Sequence, residues 1–336
     1  MGLIAFAEEI ASLFASPIQI NGDSTSLRVA YSAIAYPNEA STNFEMISLI
    51  ESELERSNKF GPGYLCEVGR NRLRKADRKE YILQLLQDSL SRNQVGTRLS
   101  SIVDTVTHKT NGIEFTLGLK GLSNEPISKK EFLPVAIKND ILTDLDLKAL
   151  SKVCDFYKNY MDNTLKPNGI KHLFLTMSVT SVLNPAFLQA IQKISASEIM
   201  PKNFLVIAVD SKQIIGNEEE LKKVIAAAKA FGVFFSVHSF DPNIDSSEKI
   251  KGLGFTYVRI TRQTLESAMA SQSANASFIR MAADFDEKGL VAVVNHVTNQ
   301  EQAQFCLDLA MPYYVDGDKG SLLTEEEFIT YLNFKK

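Results

Sequence analysis

The sequence has no tryptophan, only three cysteines and ten prolines, and no apolar run of the roughly 18 residues that a membrane span requires. Cys66, Cys154 and Cys306 are odd in number, far apart and set among apolar neighbours. That pattern excludes a disulfide frame and a cysteine zinc site, and it predicts buried thiols in a reducing, cytoplasmic compartment. Residues 1–17 lack the basic start and small-residue cleavage site of a secretory signal, and read as a helix with Glu8 and Glu9 on its polar side. Familiar catalytic signatures are missing as well: there is no HExxH, GxSxG, P-loop or GxGxxG. With 17 glycines, 45% hydrophobic and 23% charged residues, and a net charge of −4, disordered, collagen-like and coiled-coil chains are excluded. The 336 residues predict about two domains, although an α/β barrel of about 250 residues counts as one.

The pattern changes near residue 70. Before it, residues 3–15 have helical spacing, a short strand ends at Ile20, and Asn21-Gly22-Asp23 is a turn signal. Leu27 to Tyr36 is β-rich and closed by Pro37, residues 44–55 have helical spacing, and Gly61-Pro62-Gly63 precedes a strand at 64–68. A unit this small has difficulty burying enough apolar surface alone. Residues 70–79 (RNRLRKADRK) then place six basic residues in ten, which reads as a solvated linker before a helix at 81–90. A phosphate-binding patch is the competing reading, and the absence of interleaved aromatics argues against it. From residue 99 strands alternate with helices, predicting a parallel sheet covered by helices. Strands are expected at 101–107, 112–119, 173–179, 204–209, 233–237, 256–260, 290–294 and 313–316. Helices are expected at 145–161, 185–194, 218–231, 276–287 and 300–309. Eight strands in this length fit a closed (β/α)8 barrel, with its site at the C-terminal strand ends.

Several fragments in order resemble the EAL domain, the barrel that hydrolyses cyclic di-GMP in bacterial signalling. Residues 127–136 (ISKKEFLPVA) resemble that family's "SPxEFIPxAE", and residues 183–188 (LNPAFL) its "LxDPxFL". Residues 228–233 (AKAFGV) are similar to "LRxLGV", 297–302 (VTNQEQ) to "VETEEQ", and 313–317 (YYVDG) to "xxxQGY". Upstream, residues 31–37 (YSAIAYP) resemble "SIGIAxYP" from the second half of a GGDEF domain. The resemblance implies a partial GGDEF-like α+β domain at 1–70, a basic linker at 71–78 and an EAL-type TIM-like barrel at 79–336. The GGDEF signature itself would lie ahead of Met1, so a shortened chain is expected, and a membrane-anchored sensor could precede it.

The family's chemistry needs two divalent cations held by carboxylates and an Asn, with a Lys and a Glu handling protons and water. Matched residue by residue, the metal-binding Glu of "EALLR" is kept as Glu114, while its phosphate-gripping Arg becomes Gly118. The Asn of "VNLS" becomes Thr176, the metal-binding Glu of "ExTE" becomes Val206, and the aspartates of "DDFG" become His238 and Ser239. The Lys of "KID" becomes Arg259, the Glu of "EGVE" becomes Asn295, and the Gln of "QG" becomes Asp316. The resemblance with these departures implies a degenerate, catalytically inactive barrel with no cofactor and no metal, because Glu114 alone cannot hold two cations and a guanidinium cannot shuttle protons. Two imidazoles, His238 and His296, near Glu114, Asn295 and Asp316 raise zinc binding as a further reading. They come from strands that are not neighbours and no cysteine is close, so zinc is not expected. The function expected is regulation through protein–protein interaction, with a non-hydrolysing cyclic di-GMP receptor as the alternative and new chemistry at the histidines third. Loss of the Arg at Gly118 leads to the expectation that cyclic di-GMP is not bound. An RNA-linked role would suit the basic run, and an open edge at Leu27 to Tyr36 predicts a homodimer.

Overall fold

The computed structural model describes residues 70–121, 126–242 and 244–334, together with short stretches among the first 69. It divides into two compact units, Met1–Ile82 and Leu83–Lys336.

In the first unit β1 (Ile18–Ile20) pairs antiparallel with β2 (Asp23–Thr25), with Ile20 opposite Asp23. The turn signal Asn21-Gly22 lies outside the described residues, between two strands that pair as a hairpin. β3 (Tyr31–Ala33) pairs in parallel with β4 (Leu65–Glu67), inside the two β-rich runs seen in the sequence. Leu49 is buried against Ile34 and Met46. Most of the helices expected at 3–15 and 44–55, and the side chain of Cys66, lie outside the described residues. Helix α1 (Arg70–Ser91) begins at the basic run rather than at residue 81, so the expected linker is helical backbone.

The second unit is a closed barrel. Its strands are β5 (Gly96–Asp104), β6 (Thr110–Lys120), β8 (His172–Thr176), β9 (Leu205–Asp210), β10 (Val233–Phe240), β11 (Tyr257–Ile260), β12 (Val291–Val297) and β13 (Tyr313–Asp316), with a short β7 (Pro126–Ile127) on the edge of β6. From β6 through β13 neighbouring barrel strands are parallel, while β5 runs antiparallel to both β6 and β13 and closes the ring. An all-parallel sheet was expected. The link from β5 to β6 is too short for the crossover a parallel pair requires, so it is a hairpin. Asp104 shapes that hairpin: its Oδ1 accepts the N–H groups of Val106 at 3.0 Å and Thr107 at 2.8 Å.

Helices alternate with the strands: α2 (Lys129–Lys138), α3 (Leu142–Tyr160) with a π-helical turn at Met161–Leu165, α4 (Val179–Leu183), α5 (Pro185–Ala196), α6 (Ser211–Ile214) and α7 (Glu218–Ala230). The second half adds α8 (Ser247–Leu253), α9 (Arg262–Ala270), α10 (Gln272–Glu287), α11 (Gln300–Asp308) and α12 (Glu325–Phe334). Helix α7 illustrates the logic: Leu221, Ile225 and Ala228 at helical spacing are buried, three glutamates open the first turn and Lys229 closes the last. Inside the barrel, Ile102, Phe174, Val206, Tyr257, Val293 and Val315 form one layer of core. Residues further along the parallel strands than this layer face the mouth. Cys154 and Cys306 are free and buried, and burial pushes both thiols up, to about 11 and about 12. No helix among the described residues is long and apolar enough to cross a membrane.

Candidate functional site at the barrel mouth

Above the core layer, four strands bring their polar side chains to one point. Glu114 on β6 and Arg259 on β11 are both buried, and they meet through two parallel bonds: Arg259 Nη1 donates to Oε1 at 2.6 Å and Nη2 to Oε2 at 2.9 Å. Arg259 Nε donates to Asn295 Oδ1 on β12 at 3.0 Å, and the Thr176 hydroxyl on β8 donates to Glu114 Oε1 at 3.3 Å. The fork geometry matches the planar guanidinium to the carboxylate and leaves neither charge unpaired. Burial alone would raise the Glu114 pKa; the adjacent Arg259 outweighs it and holds the carboxyl at about 2. The structure therefore unites Glu114, Thr176, Arg259 and Asn295. In the sequence Arg259 read only as a replacement, and its pairing with a residue 145 positions away had no signal there.

His238 on β10 shares a 2.8 Å hydrogen bond between its Nδ1 and Ser239 Oγ, and Ser239 itself has φ +61°. Burial, reinforced by Arg259, lowers the imidazole to about 4, so it is neutral at physiological pH. His296 on β12 is exposed and separated from His238 by the whole of β11. Among the described residues, no three His, Cys, Asp or Glu side chains converge on one point.

Two expected mouth positions fall elsewhere. Val206 is fully buried in the core layer, paired with Phe174 and Phe234. On β9 it is Ala208 that lies opposite Thr176 and Ser236, while Asp210 lies opposite His238. The expected alignment was displaced by two residues, which preserves the inward face of a strand and so leaves its pattern unchanged. Asp316, expected among the mouth groups, instead ties down the chain that follows β13. Its Oδ2 accepts from the Tyr331 hydroxyl of α12 at 3.0 Å and from Gly320 N at 3.1 Å, while Oδ1 accepts from Asp318 N at 2.9 Å. A Cβ at Gly320 would stand 2.6 Å from that Oδ2, so the close approach needs glycine. Gly118 lies opposite Gly96 on β5, and a Cβ added to it would come within 3.0 Å of Arg98 Cγ. Arg98 thus fills the space that a side chain at 118 would use.

Beside the ion pair is a cavity of about 270 Å³ that the sequence reading had not assembled. Lys129, Asp146, Asp210 and Gln213 line it together with Thr176 and His238. Asp146 on α3 is buried and accepts the N–H of Ser178, which caps α4, at 2.9 Å. Burial, opposed by that bond, raises its carboxyl to about 6. Asp210 caps α6 through Lys212 N at 3.0 Å. One sequence signal for this group existed: Lys129 stands where the "SPxEF" pattern has proline.

An eight-stranded barrel with one reversed strand and a polar cluster at its parallel strand ends places the chain in the TIM-like class. The EAL domain family profile matches residues 83–317, and the chain belongs to that family. No curated protein matches the sequence significantly. Among solved structures, the FimX EAL domain from Pseudomonas aeruginosa bound to c-di-GMP is similar at TM-score 0.62 and 14% identity, covering 70% of this chain and 93% of that one. The PaMucR phosphodiesterase in its c-di-GMP complex matches at TM-score 0.65 and 16% identity, covering 73% and 98%. Vibrio cholerae LapD, as its S helix-GGDEF-EAL segment without ligand, matches at TM-score 0.61 and 14% identity, covering 94% and 72%. Two of these three relatives in fold hold c-di-GMP. That finding overturns the expectation, drawn from Gly118, that cyclic di-GMP is not bound.

Proposed function

We propose that this barrel is a degenerate EAL domain that does not hydrolyse cyclic di-GMP and serves as a regulatory module in bacterial signalling through contacts with a partner protein. The observation that carries this reading is the Glu114–Arg259 pair. Both carboxylate oxygens face a guanidinium, and the neighbouring groups at the same level are Thr176, His238 and Asn295. Two divalent cations each need several oxygen ligands, and a fixed cation at their only retained carboxylate repels them. The residues present do not fit a two-metal centre, so no hydrolytic step is derived from one. The test is product analysis after incubation of the full chain with cyclic di-GMP and Mg²⁺ or Mn²⁺. The expected result is no linear dinucleotide above a protein-free control. Product that disappears in Glu114→Ala contradicts the reading.

A second reading, a cyclic di-GMP receptor, is favoured by Arg98 and by the c-di-GMP complexes of the FimX and PaMucR relatives. The Arg98 stem passes beside Gly118, and its guanidinium, which donates to Thr97 O at 3.5 Å, is the group proposed to make a charge-assisted phosphate contact. Calorimetry separates the readings. A receptor gives a saturable signal that Arg98→Ala weakens at least tenfold, whereas a module working through protein contacts alone gives none.

The first unit is proposed as the second half of a GGDEF-like domain. Its support is the YSAIAYP segment and the span of the LapD match, whose GGDEF–EAL segment covers nearly all of this chain.

A further inference from the structure

The cavity beside the ion pair has a floor and walls of opposite character. Its walls are Leu117, Leu133, Ile137, Leu142 and Met177; its polar side is set by Lys129, Thr116, Thr176 and His238. Two of these polar groups are unsatisfied among the described residues. The buried Thr116 hydroxyl has no hydrogen-bond partner, and the partly buried Lys129 ammonium makes no hydrogen bond and no direct ion pair. Glu114 and Asp146 attract the Lys129 charge through space, but neither bonds to it: both Glu114 oxygens are bound to Arg259, and Asp146 accepts from Ser178. Buried donors are nearly always paired, and a cation facing apolar walls gains most from an anion.

We propose that this cavity is a binding site for a small molecule with a single carboxylate and an apolar body, the carboxylate accepting from Lys129 and Thr116 and the body resting against Leu133, Ile137 and Leu142. The volume, about 270 Å³, lies just below the roughly 300–1,000 Å³ range of drug-sized ligands, which sets the size class. Asp146 and Asp210 share the cavity, so the repulsion that a bound anion meets grows with its charge: a doubly charged phosphate meets twice that of a single carboxylate. His238, held neutral, adds no second cation. The site gives the regulatory module a small-molecule input, and it rests on the non-hydrolysing reading, since a mouth that turned over a dinucleotide would hold substrate here.

The test uses the full chain with sodium benzoate as the probe, benzamide as its neutral counterpart and inorganic phosphate as the doubly charged one, read by calorimetry and thermal shift. Benzoate should give saturable 1:1 heat with a dissociation constant below about 1 mM, while benzamide and phosphate give none. Lys129→Met should weaken benzoate at least tenfold, and Lys129→Arg should retain it, with both variants melting near the parent. Equal binding of benzamide or phosphate, or full retention in Lys129→Met, overturns the site. No benzoate binding while cyclic di-GMP stays intact overturns this proposal alone; cleavage of cyclic di-GMP overturns the reading beneath it.

Discussion

At the scale of single residues, Arg259 decides the character of the mouth. It is fully buried, and its charge is tolerated because three of its nitrogens donate to Glu114 and Asn295. Removing one partner strands the other. Glu114→Gln and Arg259→Met should each cost about 3–5 kcal/mol in urea unfolding, the typical penalty for an uncompensated buried charge. The double variant Glu114→Leu/Arg259→Met should recover most of that loss, because an apolar pair needs no desolvated partner. Single costs below about 1 kcal/mol, within the range of exposed ion pairs, would show that water reaches the pair. None of this was legible in the sequence, where Glu114 stood as a surviving ligand and Arg259 as a mismatch. A pairing between β6 and β11 exists only once the barrel closes.

At the scale of elements, Asp146 joins α3 to the start of α4 by accepting Ser178 N–H. Its pKa is raised by burial to about 6 in the folded chain, against 3.8 as the ordinary value. Well below pH 3.8 the carboxyl is neutral folded and unfolded, so it costs nothing there. Above pH 6 it is charged in both states, and the folded state bears the burial. Asp146→Asn keeps the acceptor for Ser178 and should therefore raise stability at pH 8, by about 1–3 kcal/mol at 1.36 kcal/mol per pKa unit. The gain should fade as pH drops through 6 toward 4. A gain that is equal at pH 8 and pH 4 would assign the effect to packing.

The elements themselves were mostly readable. Buried parallel strands leave apolar runs such as LVIAV in β9, and amphipathic helices such as α7 repeat every third or fourth residue. What escaped has physical reasons. The reversed direction of β5 follows from a tight Asp104 turn and leaves no trace in its burial pattern, and α8 and α9 are too short for a clear period. Placing Val206 at the mouth failed because a two-residue displacement keeps the same inward face.

For the whole molecule, the fold and family were legible from ordered fragments, whereas the site was legible only as a set of losses. Gly118 read as a lost arginine until the hairpin set the Arg98 stem beside it, and Lys129 read only as part of the "SPxEFIPxAE" resemblance until the cavity placed it. The central claim is that an internal guanidinium occupies the place of a metal pair. Titration of the full chain with Mn²⁺, followed by electron paramagnetic resonance in the presence of cyclic di-GMP, addresses it most directly. The account predicts that the signal of free hexa-aquo Mn²⁺ grows in proportion to the metal added, with no bound fraction at micromolar concentration. Two Mn²⁺ ions taken up per chain, and released by Glu114→Ala, would contradict it.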